Sequence, residues 1–68
     1  MASVSSRDVL KDLTRDGWRK IRQKGSHVQL KHPKKPGLVT VPHPNKDLPK
    51  GTAANIYRTA GLTPPWER

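Results

Sequence analysis

Apolar positions near the start of the chain follow a helical period. Val9 and Leu13 fall on one side of a helix, and Ser5 precedes them at the N-cap position of a capping box. Gly17 can adopt the left-handed conformation that commonly ends a helix. The spacing predicts a helix over residues 6–16. Acidic residues recur at every fourth position on another helix face, which we expect to meet solvent: Asp8, Asp12 and Asp16.

From Arg19 onward the hydrophobic period changes to two, which is typical of strands. Gly25 and Ser26 form a two-residue turn of the class that begins with Gly, so two strands should pair as a hairpin. A tight turn fixes the strand register. The expected cross-strand pairs are Lys24 with His27, Arg22 with Gln29, Ile21 with Leu30, and Lys20 with Lys31.

This register separates the hairpin into two faces. Ile21, Val28 and Leu30 share one face, which we expect to be buried. Trp18 lies outside this alternation and is expected in the core. The opposite face is polar and basic and is free to meet a ligand; it carries Lys20, Arg22, Lys24, His27, Gln29 and Lys31.

The remainder of the chain completes a small domain. Residues 38–41 predict a third strand closed by Pro42, and residues 50–60 predict a second helix ended by Gly61. The order helix, three strands, helix indicates a two-layer α+β fold with the topology of a double-stranded-RNA-binding domain. We therefore expect one domain over residues 1–62 and a C-terminal tail over residues 63–68.

The charge of the chain favours a polyanionic partner. Its 68 residues include 14 Lys and Arg against five Asp and Glu, a formal net charge of +9. No acidic residue lies between Asp16 and Asp47, whereas that stretch holds all three histidines. Lys34 and Lys35 are expected to contact phosphate rather than bases. The alternative is a basic surface that serves only solubility.

Several classes of protein are disfavoured. Without cysteine the chain can form neither a disulfide nor a thiolate metal site, and three histidines alone do not suggest zinc. His32 and His43 flank prolines and are expected to be loop or packing residues. No apolar run approaches the about 20 residues of a membrane span, and no signal-peptide pattern is visible. We expect a cytoplasmic, soluble monomer that needs no cofactor and binds no membrane.

Several sequence blocks, in order and at matching spacing, resemble the HicA (YcfA-like) toxins of bacterial toxin–antitoxin systems. The blocks are Asp16-Gly17-Trp18, Gln23-Lys24-Gly25-Ser26-His27, Val39-Thr40-Val41-Pro42, Asp47-Leu48-Pro49-Lys50-Gly51-Thr52 and Ala60-Gly61-Leu62. The resemblance implies a fold like a double-stranded-RNA-binding domain, an mRNA interferase activity and a HicB-type antitoxin partner. It also implies that His27, which follows the Gly-Ser turn, is the catalytic histidine. Val28 stands where many members carry a second histidine, and Leu30 where many carry an aromatic residue.

RNA can be cleaved without a metal because its 2′-hydroxyl can attack the adjacent phosphate. Histidine suits the proton transfer, and Lys24 and Lys31 would favour a neutral imidazole and stabilise charge on the phosphate. No second acid–base group is expected beside His27, so we expect slow catalysis. The residues expected to contact RNA are Lys20, Arg22, Lys24, Gly25, Ser26, Gln29, Lys31, Lys34 and Lys35. The alternatives are a non-catalytic RNA-binding module and a domain that docks an acidic protein.

Overall fold

A computed structural model describes residues 4–67 and shows two helices on one side of a three-stranded sheet. The elements are α1 (Ser6–Asp16), β1 (Arg19–Lys24), β2 (His27–Lys31), β3 (Val39–Pro42), α2 (Lys50–Thr59) and a short 3-10 helix (Pro65–Glu67). The strands are antiparallel and lie in the order β1-β2-β3. The predicted α+β fold, like that of a double-stranded-RNA-binding domain, is confirmed.

The first helix has the ends that the sequence predicts. Ser5 Oγ accepts a hydrogen bond from the backbone N–H of Asp8 at 3.1 Å, which satisfies one free donor of the first turn. At the other end Gly17 has φ +108°, and a Cβ there would lie only 2.8 Å from His32 Nε2. Glycine is therefore required at this position both by the backbone conformation and by the approach of the histidine ring.

The hydrophobic core lies between the helices and the inner face of the sheet. Both helices pack against β3, whose Val39 and Val41 point inward while Thr40 is exposed. Trp18 is buried as expected, and its indole N–H donates to the Ala60 carbonyl at 3.3 Å. The buried residues of the core are Val9, Leu13, Trp18, Val28, Leu30, Val39, Val41, Leu48, Ala53, Ile56, Tyr57 and Ala60.

The first strand departs from the predicted register. Lys20 pairs with Leu30 and Arg22 pairs with Gln29, so Ile21 is an extra residue in a β-bulge. The expected pairs of Ile21 with Leu30 and of Lys20 with Lys31 are therefore wrong, and Ile21 is 52% exposed instead of buried. All of β1 is exposed. A bulged edge strand rich in lysine and arginine discourages edge-to-edge pairing with another sheet.

The acidic face of α1 is not simply solvated, which corrects the sequence-based expectation. Asp12 Oδ2 accepts a hydrogen bond from the Tyr57 hydroxyl, and Asp16 Oδ2 accepts one from Lys35 Nζ at 2.6 Å. The Lys35 hydrogen bond lowers the pKa of Asp16 below its ordinary value of 3.8. These two carboxylates join α1 to α2 and to the loop after β2, while Asp8 stays exposed.

The last described residues pack against α2. The Trp66 ring meets the Tyr57 ring edge-on with 6.0 Å between centroids, and Lys50 Nζ lies 5.3 Å from the Trp66 centroid. Arg58 and Glu67 form an exposed ion pair at 2.7 Å. No helix within residues 4–67 is both long and apolar enough to span a membrane.

Candidate active site

The hairpin turn places His27 at the beginning of β2. Gly25 has φ +58°, and no other residue of the turn has a positive φ, which matches the predicted class of turn with Gly first. The Gly25 carbonyl accepts a hydrogen bond from Gln23 Nε2 at 3.3 Å. Lys24 and His27 are cross-strand partners, as the sequence predicted, and both are exposed.

Five side chains from all three strands meet on the sheet face opposite the helices. They surround a shallow depression of about 330 Å³ and are Arg22, Lys24, His27, Gln29 and Thr40. Gln29 pairs with Arg22 on one side and with Thr40 on the other, so the three strands contribute one continuous row. The imidazole of His27 thus lies beside two cations and two neutral hydrogen-bonding groups.

No carboxylate neutralises this sheet face. The strand sequences contain no Asp or Glu. Within residues 4–67 the carboxylates found in ion pairs are those of Asp16 and Glu67, and neither pairs with a residue of the strands. Unpaired cations that share one surface produce a positive potential that attracts an anionic ligand.

The bulge at Ile21 changes which cations share the face with His27. Arg19 pairs with Lys31, so these two positions extend the row of charged residues along the hairpin. Lys20 pairs instead with the buried Leu30, so the expectation that Lys20 lies on the basic face is wrong. Arg19 was not predicted to lie on this face because regular alternation conceals a bulge. Thr40 was not predicted either, although the pattern Val39-Thr40-Val41 could have revealed it.

The two lysines of the loop after β2 are not part of this cluster. Lys35 Nζ donates to Asp16 Oδ2 and to the Ala60 carbonyl, so its charge holds elements of the fold together. Lys34 is exposed but follows the end of β2 opposite to His27. Ser26 lies in the hairpin turn, where its carbonyl accepts a hydrogen bond from the His43 N–H at 2.7 Å.

The other two histidines are packing residues, as the sequence predicted. His32 Nε2 donates to the Asp16 carbonyl at 2.8 Å, and its Nδ1 accepts the backbone N–H groups of Lys34 and Lys35. His43 Nδ1 lies 2.7 Å from Ser6 Oγ, on the helical side of the sheet. Neither ring lines the depression around His27.

The comparison with protein families decides what kind of domain this is. A family model described as "HicA toxin of bacterial toxin-antitoxin" matches residues 6–62 of the 68-residue chain. The chain belongs to the HicA toxin family. The match extends from α1 to just beyond α2, so it includes the whole sheet and the His27 hairpin of this HicA domain. A comparison with curated proteins found no match.

The HicA domain contains no obvious metal-binding cluster. Among residues 4–67, no group of three or more His, Cys, Asp or Glu side chains is placed to hold a metal ion. The basic depression itself offers one imidazole together with ammonium and guanidinium groups. That set of donors suits an anion such as a phosphate rather than a cation.

Proposed function

We propose that this HicA family member is an mRNA interferase, a toxin that stops translation by cleaving RNA with His27. The observation that carries the proposal is the exposed His27 imidazole beside Lys24 and Arg22, on a sheet face without any carboxylate. This is an arrangement in which a proton acceptor and a phosphate-binding surface occur together.

The substrate supplies its own nucleophile in the proposed reaction. His27 removes the proton from a ribose 2′-hydroxyl as the 2′-oxygen forms a bond to the adjacent phosphorus. The bond between phosphorus and the 5′-oxygen of the next nucleotide then breaks, and that oxygen takes up a proton. The products are a 2′,3′-cyclic phosphate and a 5′-hydroxyl, and the mechanism uses no metal ion. DNA, which lacks the 2′-hydroxyl, is not a substrate.

The cations around His27 have two different tasks in this mechanism. Lys24 and Arg22 stabilise the additional negative charge that develops on the phosphate as the new bond forms. Arg19 and Lys31 lie further along the hairpin and hold neighbouring phosphates, which positions the strand without reading its bases. Gln29, in contrast, carries an amide that can hydrogen-bond a base or a ribose.

The second proton transfer has no dedicated histidine or carboxyl group. Within the described residues, no other imidazole and no carboxylate lines the depression. The proton for the leaving 5′-oxygen therefore comes from water or from the Lys24 ammonium. Efficient general acid–base catalysis employs groups whose pKa lies close to the working pH, so we expect the isolated domain to be a slow enzyme.

A HicB-type antitoxin is the partner we propose for this toxin. Membership in a toxin–antitoxin family supports an antitoxin, and inhibition is most direct if that protein blocks access of RNA to His27. The basic face then predicts an acidic contact surface on the antitoxin. We place the pair in the cytoplasm, where mRNA is translated, and we expect the free toxin to be a monomer.

The decisive test compares wild type with His27→Ala in bacteria and in vitro. Induction of wild type should arrest growth and fragment mRNA, whereas His27→Ala should do neither and should still bind RNA. Simultaneous expression of the antitoxin should restore growth. If wild type binds RNA but cleaves none, the domain is the non-catalytic RNA-binding module that the sequence left as the alternative.

A further inference from the structure

Helix α1 carries a second basic surface that its sequence conceals. The helix contains three cations and three aspartates, so it is neutral overall. The structure separates the two signs, because Asp12 bonds to Tyr57 and Asp16 bonds to Lys35. Asp12 and Asp16 are thus engaged with the body of the domain, although Asp8 and Asp12 still share a depression with Lys11 and Arg15 on one side of the helix.

The three cations of α1 form one continuous stripe. Arg7, Lys11 and Arg15 are spaced four residues apart, which places them on neighbouring turns of the same helix face. All three are exposed. No carboxylate of residues 4–67 lies within ion-pair distance of them. An anionic ligand would reduce the mutual repulsion of these cations.

This stripe borders a groove of about 1020 Å³ between α1 and the loop after β3. Lys46 contributes a fourth cation from the loop, and Asp8 is the one carboxylate among the lining residues. Three hydrogen bonds hold the loop to α1: from the Asn45 N–H to Ser6 Oγ at 2.9 Å, from the Ser6 N–H to the Asn45 carbonyl at 2.8 Å, and between Ser6 Oγ and His43 Nδ1 at 2.7 Å. The groove is consequently preformed.

The groove adjoins the proposed active site at one end of the domain. His43 lines the groove, and its backbone N–H donates to the carbonyl of Ser26 at 2.7 Å. Ser26 directly precedes His27. A chain of phosphates that passes His27 at the hairpin turn can therefore continue around the end of the sheet toward Lys46 and α1.

We infer that this groove binds the phosphate backbone of the same RNA strand that His27 cleaves. The inference rests on the proposed function, and it is carried by the excess of four cations over one carboxylate and by the contact between the groove loop and the hairpin turn. Lysine and arginine hold phosphate without reading bases. The groove thus increases affinity for RNA on one side of the cut and leaves the sequence preference to the sheet face.

The test measures binding of a short fluorescent RNA, with 2′-O-methyl riboses so that it cannot be cleaved, over a range of salt concentrations. Arg7→Gln/Lys11→Gln removes two groove cations. Arg7 lies in the first turn of α1, where a cation does not favour the helix, and glutamine is a good helix former at both positions. Lys50→Gln/Arg58→Gln removes the same charge from α2, away from both the groove and the sheet face. Thermal melting checks that both variants are folded.

The groove variant should lower the slope of log affinity against log salt by about 1.4, because each phosphate contact on a single strand contributes about 0.7. The α2 variant should keep the wild-type slope, and Asp8→Asn should bind RNA more tightly than wild type. Equal slopes for the two double variants would overturn the inference and leave only an effect of net charge.

The remaining outcomes separate this inference from the proposed function. If wild type shows no salt-dependent RNA binding, both are wrong. If His27→Ala abolishes cleavage while Arg7→Gln/Lys11→Gln keeps the wild-type slope, the groove assignment alone is wrong. An unchanged slope together with weaker binding of the antitoxin would overturn the RNA assignment and would identify an acidic protein as the occupant of the groove.

Discussion

The two ends of strand β2 carry histidines in opposite environments. His32, just after the strand, uses both ring nitrogens in hydrogen bonds, and its side chain is only 8% exposed. Its ring also meets the edge of Trp18 with 5.3 Å between centroids. His27, at the start of the strand, is exposed, and its ring forms no hydrogen bond within residues 4–67.

The contrast shows how one residue type serves stability at one place and chemistry at another. A ring whose two nitrogens are both bonded to the backbone cannot exchange protons without breaking the fold locally. An open ring beside cations can accept a proton from a substrate. Replacement of His27 should therefore lower the cleavage activity, whereas replacement of His32 should lower the stability of the fold.

The largest expected effect is on catalysis, and it comes from His27→Ala. Loss of a general base typically lowers a rate by about 10²–10⁴-fold, and here no neighbouring group can replace it. RNA cleavage by the purified variant should fall by at least about 100-fold, while its melting temperature stays close to that of wild type. A variant that melts much earlier would show that the ring at position 27 has a structural role.

His32→Ala should give the reverse result. The change leaves the Asp16 carbonyl and two backbone N–H groups without their partners, which should lower the free energy of unfolding by about 2–3 kcal/mol. In a domain of this size the melting temperature should fall by roughly 10 °C or more. Cleavage per folded molecule, measured well below the melting transition, should remain near wild type. A selective loss of activity would contradict the assignment.

A smaller effect on RNA binding should distinguish Arg19 from Lys20 on the hairpin around His27. Arg19 and Lys20 are adjacent in sequence and both exposed, but the bulge at Ile21 puts Arg19 opposite Lys31 and Lys20 opposite Leu30. Arg19→Gln should reduce the salt slope of RNA binding by about 0.7, whereas Lys20→Gln should hardly change it. The opposite order would mean that the strands pair in the regular register that the sequence suggests.

The smallest effect concerns how the ion pair between Asp16 and Lys35 makes the stability of the fold depend on pH. Because Lys35 lowers the pKa of Asp16, the ionised carboxyl stabilises the fold above the ordinary value of 3.8, and this contribution is lost as the pH falls through the lower folded-state pKa. Asp16→Asn cannot titrate there. The stability difference between wild type and Asp16→Asn, measured by urea unfolding, should therefore shrink in acid. A constant difference would contradict the Lys35 interaction.

The elements of the fold could be predicted because their signals are local. Capping by Ser5 and termination at Gly17 depend on neighbouring residues, so the bounds of α1 agree with the prediction. The Gly25 turn likewise fixed the pairing of Lys24 with His27, and hence the main feature of the candidate site. Family membership was recognisable because the motif blocks occur in order along most of the chain, and it is confirmed.

The remaining features depend on partners distant in sequence. Ile21 could not be recognised as a bulge, because an edge strand tolerates an exposed apolar residue that a central strand would bury. Asp12 and Asp16 were predicted to be solvated because their hydrogen-bond partners, Tyr57 and Lys35, are distant in sequence. The groove between α1 and the loop after β3 also joins residues that are distant in sequence, so composition alone does not predict it.

The most direct test of the central claim identifies the bond that is cut and the residue required. The site of cleavage is first mapped in unmodified RNA, and the same strand is then made with 2′-O-methyl riboses everywhere except at that one nucleotide. Wild type should cut only after the native ribose and leave a 2′,3′-cyclic phosphate, detected by mass spectrometry, and His27→Ala should leave the strand intact. Cutting beside methylated riboses, or equal cutting by His27→Ala, would contradict the account.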